Sequence, residues 1–223
     1  MKAEQNHQLV LYSYWRSSAA YRVRIALNLK GLPFTTIPVN LVRQGGEQLG
    51  EEYRRINPQG LVPVLSHQGH VLTQSMAICE YLDEVFPRYL LLPPDPAARA
   101  EVRALALQVA CEIHPLNNLR VQKYLASQPG EPINTLAWMD HWMTAGFSAI
   151  EKQLENSLDT GSTYISGRPG LFECFLVPQV YNAERFGVDM SRFKLIRNIV
   201  SQCRDLPVFQ NAAPENQPDA VPI

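Results

Sequence analysis

The amino-acid sequence predicts a small α/β domain followed by an all-helical domain. Three observations lead to this fold class. Strand-like and helix-like segments alternate over roughly the first 85 residues, a proline-rich stretch follows, and beyond it apolar residues recur at helical spacing. We place the first domain at residues 1–87, a linker at 88–96, the helical domain at 97–213 and a flexible tail at 214–223.

The elements of the first domain are predicted in the order β-α-β-α-β-β-α. Strands are expected at residues 9–12, 35–39, 62–66 and 70–72, and helices at 19–30, 50–56 and 75–85. Gly31, Asn57-Pro58 and Pro87 end the three helices, and a turn at Gln68-Gly69 makes the last two strands a hairpin. A hairpin late in an alternating series predicts a mixed sheet.

The second domain is indicated by apolar residues at helical spacing. One series is Val102, Leu105, Val109 and Ile113, and another is Leu136, Met139, Met143, Phe147 and Ile150. Further helices are expected at 171–186, 193–204 and near 207–213. The proline of His114-Pro115 interrupts the first long helical pattern and is expected to kink that helix.

Composition narrows the possible partners. The 223 residues are 46% hydrophobic and carry a formal charge of −1, so neither nucleic acid nor an anionic membrane surface is an expected partner. No apolar run approaches the roughly 20 residues of a spanning helix, and no signal peptide is visible, so we expect a cytoplasmic protein. The cysteines lack metal-ligand spacing, so no metal site is expected and buried structural thiols are favoured. They are Cys79, Cys111, Cys174 and Cys203.

Pro63 lies inside the strand-like run Val62-Pro63-Val64-Leu65, where a residue without an N–H does not fit a central strand. A cis bond before Pro63 would turn the chain, so that the backbone of Val62 faces an open cleft and pairs with a peptide-like ligand. Gln74 and Ser75 open the next helix, where free N–H groups and a hydroxyl form an anion site. Together these features predict a small acidic peptide as ligand.

Ser17 and Ser18 precede the first helix, and two interpretations stay open for them. Either hydroxyl can cap the helix by accepting a backbone N–H, which is common. Alternatively, one hydroxyl donates to a thiolate that the ligand brings, and the positive helix end favours the same anion. Arg16 lies on the same loop and is a candidate for bidentate binding of a substrate carboxylate.

Other polar residues give weaker signals. Arg22 and Arg24 are interpreted as surface or ion-paired residues of the first helix. His114 is either a capped, partly buried imidazole or a ligand-facing residue. Asn118 and Arg120 add polar groups to a helix otherwise interpreted as core, and we expect them to face the cleft between the domains, where ligand pockets tend to form.

These residues together resemble the glutathione transferase superfamily and, within it, the zeta class, which includes maleylacetoacetate and maleylpyruvate isomerases. The resemblance runs nearly the whole length of the chain, and the order of its segments is highly specific. The segments are Tyr14-Trp15-Arg16-Ser17-Ser18, Arg22-Val23-Arg24-Ile25-Ala26-Leu27, Asn57-Pro58 through Leu65, Gln74-Ser75, Leu176-Val177-Pro178-Gln179 through Arg185-Phe186, and Gln217-Pro218-Asp219.

The resemblance implies a thioredoxin-like first domain, a homodimer and glutathione as the cofactor. Ser17, with Ser18 beside it, matches the serine that holds the glutathione thiolate. Val62 and cis Pro63 match the contact to the cysteinyl unit. Gln74 and Ser75 match the site of the γ-glutamyl carboxylate.

The resemblance also implies a substrate, a maleyl keto-acid with two carboxylates. Thiolate addition turns its cis double bond into a single bond that rotates, and elimination returns the trans isomer and glutathione. Arg16, with Arg120 or Arg185, is assigned to the substrate carboxylates and to the charge that builds during addition. His114 and Asn118 match cleft residues of the maleylpyruvate isomerases and are assigned to the cofactor.

Two positions depart from the family pattern. Ala19 stands where many zeta members have a cysteine, which argues against thiol-transferase chemistry. Gly170 stands where the family has a Ser or Thr cap, and Glu173 is expected to reach back to backbone N–H groups with slightly weaker folding. Two other functions stay open: a general transferase that conjugates apolar electrophiles, and a non-catalytic glutathione-binding protein.

Overall fold

A four-stranded mixed sheet forms the centre of the first half of the chain, in a computed structural model that describes residues 8–130, 133–158 and 161–221. The strands follow the spatial order β2-β1-β3-β4, with β1 and β2 parallel and the other two pairs antiparallel. They are β1 (Leu9–Ser13), β2 (Phe34–Pro38), β3 (Val64–His67) and β4 (His70–Thr73). The predicted mixed sheet and its late hairpin are confirmed.

The helices of this half follow the predicted order. They are α1 (Ser18–Leu29), α2 (Glu51–Ile56) and α3 (Ser75–Val85), with short 3₁₀ turns at Arg43–Gly45 and Glu47–Leu49. Helices α1 and α3 bury apolar faces against the sheet, and the fully buried side chains include Ile25, Leu65 and Ile78. The strands and helices thus occur in the order that the spacing of apolar residues predicts.

A buried ion pair joins α1 to α3. The Nζ of Lys30 lies 2.8 Å from a carboxylate oxygen of Asp83, and their side chains are 1% and 9% exposed. The same oxygen of Asp83 accepts a hydrogen bond from the backbone N–H of Leu91. Because both charges are removed from water, loss of either partner would leave an uncompensated buried charge.

The second half is helical, as predicted. Its α-helices are α4 (Pro96–Leu107), α5 (Leu119–Ala126), α6 (Thr135–Ser157), α7 (Leu171–Arg185) and α8 (Lys194–Arg204). Residues Leu92–Asp205 make up this unit. Helix α7 is buried on all sides from Leu171 to Val180, as expected for a central helix, and Glu173 and Gln179 are the polar side chains in this buried run.

The predicted interruption near His114-Pro115 is confirmed. Helix α4 passes into a π-helical turn at Gln108–Ile113 and then a 3₁₀ turn at His114–Asn117 before α5 begins. A proline lacks the N–H that an α-helix interior requires, so the hydrogen-bond pattern changes at this point.

The C-terminal segment differs from its prediction. Residues from Leu206 onward cluster with the first unit, and the short helix α9 (Pro207–Gln210) belongs there and not to the helical domain. Within the tail, a carboxylate oxygen of Asp219 accepts the backbone N–H of Trp15 at 3.0 Å, and the flexibility expected of residues 214–223 stays a prediction. Ala220 also packs on an apolar cluster of that unit. Residues 222 and 223 lie outside the described residues.

The start of α7 confirms the expectation for Glu173. Gly170 precedes the helix, and its backbone N–H donates to a carboxylate oxygen of Glu173 at 2.7 Å. Glycine supplies no side-chain cap, so only the glutamate half of a capping box is present. Burial raises the pKa of Glu173 from 4.5 to about 7, against the lowering effect of its backbone hydrogen bonds.

We expect Glu173→Gln to remove a pH dependence of stability. The folded-state pKa lies above the ordinary value, so the folded protein binds more protons between pH 4.5 and about 7 and the parent loses stability as pH rises through that window. A displacement of this size corresponds to about 3 kcal/mol. Urea unfolding at several pH values should show the variant gaining on the parent up to about pH 7, and parallel curves would contradict this account.

Two further expectations from the sequence concern the burial of the cysteines and the presence of membrane-spanning helices. Cys79, Cys174 and Cys203 are buried, whereas Cys111 is exposed on the π-helical turn, so the expectation of buried thiols fails for Cys111. Within the described ranges, no helix is both long and apolar enough to span a bilayer.

Candidate active site

Three chain segments leave the same end of the sheet, and they carry the residues singled out in the first unit. Tyr12 of β1 pairs with Val64 of β3, which in turn pairs with Thr73 of β4. Strand β3 is antiparallel to both neighbours, so the exits of β1 and β4 and the entry to β3 lie side by side. The loop that follows β1, the segment before β3 and the start of α3 therefore adjoin one another.

Ser17 caps α1. Its side-chain oxygen accepts a hydrogen bond from the backbone N–H of Ala20 at 3.2 Å, so the capping interpretation is confirmed. This role does not exhaust the hydroxyl, because an oxygen that accepts one hydrogen bond still has its own hydrogen to donate. Ser17 is half-buried, and Ser18 follows it as the buried first residue of the helix.

Arg16 is held next to the loop by an aromatic ring. Its guanidinium carbon lies 4.4 Å from the centroid of the Trp15 ring, a cation–π arrangement. Trp15 is itself buried and fixed through its backbone N–H to Asp219. The half-buried Arg16 side chain thus starts from an anchored neighbour.

The peptide bond between Val62 and Pro63 is cis, as predicted. The carbonyl of Leu61 just before it accepts from the hydroxyl of Tyr53 and from the side-chain amide of Asn57, each at 2.8 Å. Across residues 8–130, 133–158 and 161–221, no hydrogen bond to the backbone of Val62 is recorded. The two hydrogen bonds to the Leu61 carbonyl therefore fix this segment, and the backbone N–H and carbonyl of Val62 are candidates for binding a ligand.

Val62 also packs against the loop that carries Ser17. Its side chain belongs to a buried cluster with Tyr14 and Trp15, the residues immediately before Arg16. Burial of Tyr53 in the same cluster raises the pKa of its hydroxyl, so this group stays protonated and keeps donating to Leu61. The apolar cluster sets the distance between the two loops.

Gln74 and Ser75 form the start of α3. Gln74 has a φ of 69°, an uncommon conformation for a residue with a side chain, and its amide donates to the side-chain oxygen of Gln59 at 2.9 Å. The side chain of Gln74 makes no capping hydrogen bond to α3, so the first N–H groups of the helix can donate to another acceptor. The oxygen of the Ser75 hydroxyl accepts from Nη1 of Arg22 at 3.1 Å.

The second unit holds the remaining residues predicted from the sequence. His114 begins the 3₁₀ turn and is half-buried, and Asn118 caps α5 by accepting the backbone N–H of Arg120 at 3.1 Å. The Arg120 side chain is exposed. Asn118 therefore has a structural role at this helix start, and its assignment to the cofactor stays a prediction.

Arg185 ends α7 and is exposed, with its guanidinium carbon 4.4 Å from the centroid of the Phe186 ring. One turn earlier, the side-chain amide of Asn182 donates to the side-chain oxygen of Asn117 at 3.3 Å. This contact joins the end of α7 to the 3₁₀ turn that contains His114. The assignment of Arg16, Arg120 and Arg185 to the substrate stays a prediction.

Two arginines of α1, Arg22 and Arg24, form hydrogen bonds with residues of the site or of the loop that carries it. Arg22 and Arg24 were interpreted as surface or ion-paired residues, and at 2% and 0% exposure they do not lie on the surface. Arg24 donates to the side chain of Ser13 and to the carbonyls of Trp15 and Ala212, at 3.1, 3.0 and 2.9 Å. The signal was available in the sequence, since both arginines lie inside an apolar helical run.

The arrangement in the first unit fits one kind of ligand. Its elements are a hydroxyl at the start of α1, a backbone N–H and carbonyl at Val62, and uncapped N–H groups with a hydroxyl at the start of α3. These groups can bind a sulfur anion, an extended peptide unit and a carboxylate, respectively.

The sequence and the fold are similar to those of known glutathione S-transferases. The family described as "Glutathione S-transferase, N-terminal domain" matches residues 16–85. The "Probable maleylacetoacetate isomerase" of Vibrio cholerae is 50% identical over 215 residues, which cover 95% of this chain and 98% of that protein.

Solved structures extend the similarity to the whole fold. A holo structure of maleyl pyruvate isomerase, described as a bacterial glutathione S-transferase of the zeta class, has a TM-score of 0.90 and 43% identity, covering 95% of this chain and 100% of its own. A maleylacetoacetate isomerase from Anaeromyxobacter dehalogenans, with GSH bound in its active site, has a TM-score of 0.86 and 41% identity, covering 96% and 98%.

Proposed function

This chain belongs to the zeta class of the glutathione S-transferases, and we propose that it is a glutathione-dependent cis–trans isomerase of a maleyl keto-acid. The substrate class is that of its relatives, maleylacetoacetate or maleylpyruvate. The observation that carries the proposal is the shared end of the sheet, where Ser17, Val62 and Ser75 present three complementary polar sites.

Glutathione fits these residues. It is a small acidic peptide with one thiol, which matches the hydroxyl at the start of α1, the backbone groups of Val62 and the uncapped start of α3. When bound, it supplies the nucleophilic sulfur that adds to and leaves the cis double bond of the substrate.

The residues of this chain prepare and direct that chemistry. The Ser17 hydroxyl donates a hydrogen bond to the sulfur, and the N-terminus of α1 adds positive potential, so the anion is favoured at neutral pH. Arg16 binds a substrate carboxylate and stabilises the charge that develops on the keto-acid. Arg120 and Arg185 are the further substrate arginines of the proposal.

The proposal is tested by turnover of maleylacetoacetate and maleylpyruvate with and without glutathione, followed by a count of free thiol. We expect many turnovers to the trans isomer only when glutathione is present, with the thiol fully recovered. Turnover without glutathione would refute the mechanism. Stoichiometric loss of thiol, or activity with halogenated aromatics alone, would favour a conjugating transferase, and binding without turnover would favour a non-catalytic protein.

We expect Arg16→Gln to raise KM for the keto-acid by about 10- to 100-fold, the value of a lost charge-assisted hydrogen bond. Affinity for S-methylglutathione should stay unchanged, because Arg16 is assigned to the substrate and not to the cofactor. Steady-state kinetics and calorimetry measure the two quantities. An equal loss in both would show that the variant disturbs the loop and that Arg16 has no specific substrate role.

Arg185→Gln should also raise KM for the keto-acid, by about tenfold for one weaker contact. The chain offers a matched control in Arg192, which is likewise exposed in the second unit and stacks on the following residue, Phe193. Arg192→Gln should leave KM unchanged in the same assay. Parallel effects of the two substitutions would remove Arg185 from the substrate site.

We further propose that the protein is a cytoplasmic homodimer. The dimer is inferred from family membership and is tested by sedimentation equilibrium. A cytoplasmic location is supported by the cysteines, which are thiols and not disulfides, since a reducing compartment preserves thiols and supplies reduced glutathione. Fractionation of the source cells tests the location.

A further inference from the structure

One hydrogen bond beneath the start of α3 has a fixed direction. Nη1 of Arg22 lies 3.1 Å from the Ser75 hydroxyl oxygen, and the two residues are 2% and 7% exposed. A guanidinium has hydrogen-bond donors and no acceptor, so Arg22 donates and the oxygen of Ser75 accepts. The hydroxyl hydrogen of Ser75 must therefore point away from Arg22.

The position of Ser75 gives that hydrogen a specific use. Ser75 is the first residue of α3, where the backbone N–H has no partner within the helix, and Gln74 before it makes no side-chain cap. In the described part of the chain, the bond from Arg22 is the one recorded for the Ser75 side chain. The backbone N–H and the hydroxyl of Ser75 are thus both left to donate to one anionic group.

We propose that Arg22 is a positioning residue of the carboxylate subsite, which makes the Ser75 hydroxyl an obligate donor to the γ-glutamyl carboxylate of glutathione. The inference rests on the proposed function, because it assumes that glutathione is the ligand. Arg22 acts through Ser75, and its buried charge strengthens the donor because a hydroxyl that accepts a charge-assisted bond is polarised by it.

The test compares two ligands that differ only in the carboxylate. S-methylglutathione is one, and its analogue with a γ-aminobutyryl unit in place of the γ-glutamyl unit is the other. We expect Arg22→Gln to weaken binding of the first by about tenfold and of the second hardly at all, as measured by calorimetry. Arg22→Lys keeps a charged donor and should restore part of the affinity. Equal losses for both ligands would show a merely structural role and overturn the inference.

A double-mutant cycle tests the same point without the analogue. If Arg22 acts through the Ser75 hydroxyl, Arg22→Gln should add little to the loss that Ser75→Ala already causes. Additive losses would contradict the inference. If Arg22→Gln does not fold, Arg22→Lys replaces it in the cycle and decides by the same criterion. Arg55→Gln, an exposed arginine paired with Glu51, is the control that should change nothing.

A failure of the proposed function and a failure of the role of Arg22 give different experimental results. If the parent protein does not bind S-methylglutathione, the proposed function is wrong and the inference falls with it. If the parent binds and the carboxylate-specific loss is missing, the proposed function stands and the role of Arg22 alone is refuted. S-methylglutathione has no thiol, so neither result depends on Ser17 or on catalysis.

Discussion

Ser17→Ala should lower kcat/KM for the keto-acid by about 100-fold, the usual cost of removing one donor that stabilises a reacting anion. The hydroxyl is half-buried at the start of α1, and its oxygen already accepts the N–H of Ala20. Its hydrogen remains available to donate, and we expect it to favour the ionised sulfur of bound glutathione. Steady-state kinetics at saturating glutathione measure the loss.

Two companion variants separate this effect from loss of the cap. Ser17→Gly keeps most of the capping preference, within a few tenths of a kcal/mol, but has no hydroxyl, so it should fold well and turn over as poorly as Ser17→Ala. Ser17→Thr keeps the hydroxyl and should retain most activity. Full activity in Ser17→Gly would assign Ser17 to helix capping alone, and Ser18→Ala would then be the variant that loses turnover.

Arg24→Met should destabilise the protein by about 3–5 kcal/mol, among the largest effects of any single change in this chain. The guanidinium is fully buried and donates to the Ser13 hydroxyl and to the carbonyls of Trp15 and Ala212. Its removal leaves these acceptors buried without a donor, and each orphaned group costs about 1–3 kcal/mol. Urea unfolding followed by circular dichroism measures the change.

The control for Arg24 is an arginine with the same chemistry and no burial. Arg55 is exposed and pairs with Glu51 within α2, so Arg55→Met should change stability by less than about 0.5 kcal/mol. Arg24→Lys restores one donor and should recover only part of the loss, because an ammonium cannot reproduce the planar fork. Similar unfolding of Arg24→Met and Arg55→Met would show that the buried contacts contribute little.

Local signals were sufficient for most of the elements. Gly31, Asn57 and Pro58 end helices where the sequence predicts it, and the strands β3 and β4 follow from a two-residue turn between β-branched runs. The cis bond at Pro63 was predicted because a proline conflicts with an ordinary strand at that place. These features depend on neighbours in the chain, which a sequence displays directly.

Contacts between distant parts of the chain were not predicted. Arg24 was interpreted as a surface or ion-paired residue, and its partner carbonyl at Ala212 lies 188 positions away. Nothing near Asp219 in the sequence indicates that its carboxylate accepts the N–H of Trp15, 204 positions earlier. Such pairings arise only when the fold brings the segments together.

The candidate site also has features that the sequence predicts and features that only the structure reveals. The pairing of Tyr12, Val64 and Thr73 follows from a mixed sheet with a late hairpin, so Ser17, Val62 and Ser75 could be expected at one end of it. The direction of the bond from Arg22 to Ser75 required the geometry of α1 against α3.

Ser17 is proposed to lower the pKa of the glutathione thiol, and the ionisation of bound glutathione measures this effect. Ultraviolet difference titration of the protein–glutathione complex follows the thiolate as pH is raised, with free glutathione as the reference. We expect the bound thiol to ionise well below its free pKa in the parent and in Ser17→Thr, and close to the free value in Ser17→Ala. A parent complex whose thiol titrates like free glutathione would contradict it.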